Sequence, residues 1–286
     1  MAPRRTSLAA ATSIFRELVS LGLCIALLGQ STIVDAAEGY NFGVVPQFEQ
    51  RKLFAIWKPI VDELSKRSGL TLNLVATLTV PEFERELGKG SYDVVYANPY
   101  HILREASRQG YVPLVRDKEA LRGILVVHKD SPIKAPGELN GQSLAIPSFN
   151  AVGASLLIRA DLEHLFKAKM TPVNVKTHSS VYLNVAAGLI PAGGGVEKTF
   201  QEQDPKVQSQ LRVLYTTREM PSHPVAAHPR MSVADREKIQ RALLDLAATE
   251  SGRALLSEVP IANAIPASMK DYLPMRTWGL DAFWVD

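Results

Sequence analysis

Two stretches of this 286-residue chain carry residue types that can hold a small anion: Ser148-Phe149-Asn150-Ala151-Val152-Gly153 and Thr177-His178-Ser179-Ser180. Each follows a short apolar run that reads as a strand, 143–147 and 173–176, and each precedes helical periodicity, over 151–167 and 181–188. The first turn of a helix leaves backbone N–H groups unpaired and carries partial positive charge. An oxyanion placed there is both hydrogen-bonded and electrostatically favoured. Ser, Thr and Asn are also the commonest helix N-caps, and a lone histidine is more often structural. The pattern therefore leaves plain capping open for Ser148, Asn150, Thr177 and Ser179.

Signatures of catalysis are sparse. The sequence holds no His-Glu-x-x-His, Gly-x-Ser-x-Gly or Walker A motif, and its six histidines lack the pair spacing of a metal site. The chain reads as a binding protein and not an enzyme, with no metal and no cofactor. Gly193-Gly194-Gly195 lacks the Walker lysine and the Rossmann glycine spacing. It reads as a segment needing room around its backbone or as a flexible turn. His223 and His228, set among Pro221, Pro224 and Pro229, read as a rigid loop.

The elements that must position these residues follow an alternating grammar. Strands are expected at 41–45, 71–76 and 92–97, and helices at 53–67, 81–87 and 99–109. Two short apolar segments within 112–127 suggest a chain leaving one sheet for another. The pattern restarts at 143–147, continues to a strand at 211–216, and ends in helices at 234–249, 251–257 and 269–273. This is the pattern of mostly parallel α/β sheets covered by helices.

A composition of 46% hydrophobic and 21% charged residues suits a globular protein of one large domain or two smaller ones. The net charge of +3 argues against nucleic acid as a partner. Residues 1–36 follow an export pattern: Arg4, Arg5 and Arg16 precede an apolar stretch at 18–28, and Val34-Asp35-Ala36 offers a cleavage site after Ala36. That stretch is far short of the ~20 residues a spanning helix needs. Cys24, the only cysteine, lies within it, so residues 37–286 have neither a disulfide nor a thiolate site.

Four segments resemble the phosphate/phosphite/phosphonate-binding members of the type II periplasmic binding proteins. They are Phe42-Gly43-Val44-Val45-Pro46; Asp93-Val94-Val95-Tyr96-Ala97-Asn98-Pro99; Pro147 through Gly153; and Thr177-His178-Ser179 followed by Gly188 and Ala192-Gly193. The resemblance implies two α/β lobes joined by crossover strands. Lobe one would hold 37–119 and 222–286 and lobe two 120–221, with crossovers near 121–127 and 214–220. It implies that Ser148, Asn150, Ala151, Thr177, His178 and Ser179 hold the anion, and that Pro46, Phe48, Tyr96, Asn98 and Tyr100 cover its other end. It further implies a periplasmic monomer serving an ABC permease or, in some relatives, a membrane histidine kinase. Three positions depart from the family pattern: Ser179 and Pro191 stand where acidic residues are usual, and Ile102 replaces an aromatic. Without those acids, phosphite, phosphate or methylphosphonate is expected over an aminoalkyl phosphonate, unless Glu49 or Glu197 supplies a carboxylate.

Overall fold

The computed structural model describes residues 39–286; the expected export segment and its cleavage point lie outside the described residues. Strand β1 (Tyr40–Val44) pairs in parallel with β2 (Leu72–Ala76) and β3 (Val94–Tyr96). Helix α1 (Gln50–Ser68) spaces Leu53, Ile56, Trp57, Ile60, Val61 and Leu64 along one buried stripe and stops at Gly69, whose φ of 70° is the left-handed conformation that glycine adopts most readily. Trp57 sits between Phe42 and Tyr96 at ring separations of 5.7 and 4.7 Å, fixing the helix on the sheet. Helices α2 (Val80–Gly88) and α3 (Pro99–Arg108) start at Thr79 and Asn98, whose side chains accept the N–H of Glu82 and His101.

Strands β4 (Val112–Asp117), β10 (Val225–Ala227) and β11 (Ala264–Pro266) complete this first sheet in the order β11-β4-β10-β3-β1-β2. The second sheet holds β5 (Leu121–His128), β6 (Ser143–Ile146), β7 (Thr171–Asn174), β8 (Ala192–Val196) and β9 (Leu211–Met220), in the order β7-β6-β8-β5-β9. Each sheet, with its covering helices, forms one lobe. Both sheets are mixed. β6 runs parallel to β7 and β8, whereas β5 runs antiparallel to β8 and β9. In the first sheet β10 opposes both β3 and β4. The strands that carry the chain between lobes, or receive it on return, must run against their neighbours, and this accounts for the departure from the mostly parallel pattern. The two crossings lie side by side, with Leu121 opposite Met220.

Behind the cleft, Tyr100, Leu103, Val152, Leu156, Met220, Tyr272 and Met275 form an apolar cluster that draws on both lobes. The C-terminal segment is tied across it. Asn150 donates to the carbonyl of Val285 at 2.7 Å and accepts its N–H at 3.0 Å, while Arg159 donates to the carbonyls of Phe149 and Phe283.

One expectation changes here, and of the two readings of the glycine run the flexible turn is overturned while the need for room around its backbone holds. The Pro- and His-rich loop contains β10, a three-residue strand buried at the centre of the first sheet. The glycine run is the central strand of the second sheet, packed on both faces. A Cβ on Gly193 would meet Val181 Cγ1 at 2.6 Å, one on Gly195 would fall on the Tyr182 hydroxyl, and one on Gly194 would fall on the Ala154 carbonyl oxygen. Gly194→Ala should therefore destabilise the protein by about 3 kcal/mol, the upper part of the overpacking range, read as a lowered urea midpoint with an unchanged slope.

Candidate functional site

A cavity of about 430 Å³ opens between the two sheets. Its second-lobe wall is made by the two junctions, and they are built differently. After β6 the chain turns through Pro147 and Ser148 to Ala151, the N-cap of a wide π-helical turn (Val152–Leu156) that continues as α4 (Leu157–Phe166). Alanine has no side-chain oxygen, and no side chain caps this end. The N–H groups of Ser155 and Leu156 both reach the Ala151 carbonyl, at 2.8 and 3.0 Å. Those of Val152, Gly153 and Ala154 precede the first bond of the turn, and all three residues line the cavity. The buried Ser148 lines it too, and its hydroxyl has no protein partner among the described residues.

The second junction is capped. Thr177 precedes α5 (His178–Ala186); its hydroxyl accepts the N–H of Ser180 at 3.1 Å and donates to the Ser180 hydroxyl at 2.8 Å. The capping reading thus describes the Thr177 side chain. His178 points Nδ1 at the Thr199 hydroxyl, 3.4 Å away, and that hydroxyl lies 2.8 Å from the Val196 carbonyl. The Tyr182 hydroxyl shares both partners, 2.9 Å from Thr199 Oγ1 and 3.1 Å from the Val196 carbonyl, so Nδ1 of His178 can either donate to Thr199 or accept from it. Burial pushes His178 down to about 4.

The first-lobe wall contributes two further imidazoles. His223 stacks on Tyr96 with ring centroids 5.4 Å apart, and its Nε2 lies 3.4 Å from Gln47 Nε2. Burial, together with His101 and His178, pushes it down to about 3. His101 places Nε2 at 2.8 Å from Glu84 Oε1 and 3.1 Å from Asn98 Nδ2. The Nδ1 atoms of His101 and His223 are buried without a protein partner. Asn98 caps α3 and bridges the lobes by donating to the Asn150 carbonyl at 3.2 Å.

Of the residues expected from the sequence, Pro46, Phe48, Asn98, Ser148, Ala151, Thr177, His178 and Ser179 line this cavity. Tyr96, Tyr100 and Asn150 lie outside the lining. Tyr96 is buried behind His223, Tyr100 packs beside Trp284 in the cluster joining the lobes, and the Asn150 amide is spent on Glu84 and Val285. Glu197 is also outside the lining, and Glu49 stands exposed at the rim with Glu202, Asp204 and Glu258, so every carboxylate of the lining faces solvent. Sequence reasoning missed Gln47, His101, His223, Lys176, Lys198 and Thr199. His101 had a signal, since it lies three residues after the N-cap Asn98. His223 had none, because only sheet packing brings its loop to the cleft.

A family model described as "ABC transporter, phosphonate, periplasmic substrate-binding protein" matches residues 42–272. No curated protein matches the chain. Among solved structures, it is similar to PhnD1 from Prochlorococcus marinus in complex with methylphosphonate, with 15% identity, a TM-score of 0.75, and 85% of this chain and 97% of that one covered. A binding protein component of an ABC phosphonate transporter from Pseudomonas aeruginosa gives 15% identity and a TM-score of 0.71, covering 86% of this chain and 89% of that one. A Xanthomonas citri protein bound to chloride ion gives 16% and 0.73, covering 85% and 98%. At such identities the structural likeness is one of fold.

The two depressed imidazoles make stability pH-dependent. Unfolded histidine titrates near 6.5, so below that pH the unfolded chain binds protons that folded His178 and His223 refuse. Their contribution is fully present above about 6.5 and is lost as pH falls toward about 4 and about 3. The melting temperature of the ligand-free protein should drop between pH 7 and pH 5, and His223→Phe should shrink that drop; equal drops in both proteins would contradict the assignment.

Proposed function

The chain belongs to the periplasmic substrate-binding proteins of phosphonate ABC transporters, and from that premise we propose that its cleft captures a small phosphorus oxyanion of the phosphonate, phosphite or phosphate class and delivers it to an ABC permease. The observation that carries this reading is the uncapped first turn at Ala151, which faces the same cavity as Ser148 and His178. The N–H groups of Val152, Gly153 and Ala154 and the Ser148 hydroxyl hold the phosphoryl oxygens from one side. The His178 ring and the N–H groups that open α5 hold them from another.

The role is capture and not catalysis. The protein works as a monomer outside the cytoplasm after removal of residues 1–36. Import is favoured over signalling to a histidine kinase by the transporter family to which the chain belongs. The lobes are 37–119 with 222–286 and 120–221, and they close about hinges at the crossings near 121–127 and 214–220. Closure must contribute to affinity. Four charge-assisted hydrogen bonds at ~1.5–3 kcal/mol each supply roughly 6–12 kcal/mol. A micromolar constant requires ~8 kcal/mol after association costs of at least ~4.

The charge pattern favours an unsubstituted or short-chain ligand. A desolvated ammonium needs a buried carboxylate or costs several kcal/mol, and the carboxylates of this lining stand exposed at the rim. The Prochlorococcus marinus relative, solved with methylphosphonate, supports the same class.

Thermal-shift and calorimetric titration of residues 37–286 should show a selective response to methylphosphonate, phosphite or phosphate over sulfate. No response to any phosphorus oxyanion would overturn the reading, and tighter binding of 2-aminoethylphosphonate than of phosphite would overturn the ligand preference. His178→Ala should weaken binding by roughly 10- to 150-fold, the loss of one charge-assisted hydrogen bond. Ser148→Ala should reduce affinity with little effect on stability, whereas Thr177→Ala should cost about 1 kcal/mol of stability through the lost cap.

A further inference from the structure

Three imidazoles from separate elements converge on one cavity: His101 from α3, His178 from α5, and His223 from the segment that returns the chain to the first lobe. They are close enough that charge on His101 or His178 disfavours charge on His223. Buried ring nitrogens normally find partners, yet Nδ1 of His101 and Nδ1 of His223 have none within the protein. The neighbouring elements leave His223 without a carboxylate: it meets the Tyr96 ring on β3, the Gln47 amide after β1, and the other two imidazoles. Glu84 is taken up by His101 and Asn150, and Glu105 lies one turn beyond His101 on α3. Around His178 stand Lys176, Lys198 and Glu202, the last two 3.9 Å apart, with Lys52, Glu49 and Glu258 at the opposite rim.

We propose that His223 is a second anion-contacting imidazole, on the opposite wall from His178, and that the two take up protons from solvent as the ligand enters, so that capture is proton-coupled. This rests on the oxyanion reading of the cleft and deepens it. On the His178 side, a ring that burial holds neutral in the empty cleft is favoured in its protonated form once a dianion enters. Its Nδ1 is engaged by the Thr199 hydroxyl, so Nε2 is the nitrogen left for a ligand oxygen, and the imidazolium form donates from both. On the opposite wall, an empty cleft gives His223 no anion to offset burial and its two imidazole neighbours. A dianion between the rings reverses that balance, because opposite charge favours the protonated form. The segment that places His223 therefore selects for ligands of high negative charge, and it does so through an imidazole where an aminoalkyl ligand would need a carboxylate.

The test is calorimetric titration of methylphosphonate at pH 7 in buffers of different ionisation enthalpy, on the wild type and on His223→Phe. The variant keeps the ring stack on Tyr96 and removes both nitrogens, and its melting curve reports its folding. Since any proton carried by the ligand is common to both proteins, the difference in proton uptake belongs to the site. The wild type should take up about one proton more than the variant and bind at least about tenfold more tightly. Equal uptake in the two proteins overturns the coupling, and equal affinity overturns the contact. If the wild type binds methylphosphonate, phosphite and phosphate not at all, the oxyanion reading itself falls, and this inference with it. Should His223→Phe fail to fold, His223→Gln takes its place. The wild type's affinity for the dianion, corrected for the fraction of ligand in that form at each pH, must then fall with rising pH.

Discussion

The close approach of the 152–156 turn to the second sheet is the contact on which the rest of the site depends. A Cβ on Gly123 or Gly194 would fall on the carbonyl oxygen of Gly153 or Ala154, so the turn lies where it does only because β5 and β8 carry glycine at those positions. The same placement sets Val152, Gly153 and Ala154 along the cavity wall and packs Val152 and Leu156 into the cluster that joins the lobes. Gly123 lies two residues into β5, beside the crossing, where its N–H is held by the Thr217 hydroxyl of the other crossing strand at 2.9 Å. One backbone contact thus links the anion-facing turn to the strands about which the lobes are joined.

That arrangement lets polar groups serve two purposes. Asn98 caps α3 and reaches across to the carbonyl of Asn150, and Asn150 anchors the C-terminal segment. At the crossing, the Ser222 hydroxyl donates to the carbonyl of Asp117, and Tyr272 donates to the carbonyl of Ser222. Each bond satisfies a group that would be costly to bury unpaired. Buried atoms without a partner among the described residues include the Nδ1 atoms of His101 and His223, both of which line the cavity, and also groups of Tyr92, Tyr96, Arg104, Glu105, Arg116 and Arg236 that do not. Carboxylates sit at the rim, while the interior offers hydroxyls, amide groups and imidazoles, a surface that gains most from an entering anion.

Local grammar carried much of this in advance. The strand-helix alternation from Tyr40 to Arg108 and the strand at Ser143–Ile146 follow from apolar period and cap residues, and Thr79, Asn98 and Thr177 cap as their types suggest. The two junctions were legible because their composition is local to the chain. Other parts were not. Val225-Ala226-Ala227 is too short to show a period and becomes a strand because it is buried between β3 and β4. Gly193-Gly194-Gly195 has no strand propensity of its own, and helices pressing on both faces demand the absence of side chains there. Asn150, Tyr96 and Tyr100 have the chemistry of ligand contacts, but neighbours distant in sequence occupy them.

The sequence by itself determined the strand-helix alternation of the first lobe, the family resemblance and the two polar junctions, because propensity, capping and periodicity act over a few residues. Tertiary structure alone decided which junction stays uncapped toward the cavity, and which of the aromatic and amide candidates reach it. It also decided that His101, His178 and His223 meet. Those outcomes depend on contacts between residues far apart in the chain, as far as from Tyr100 to Trp284. Only the packing of two sheets and their crossings brings such residues together.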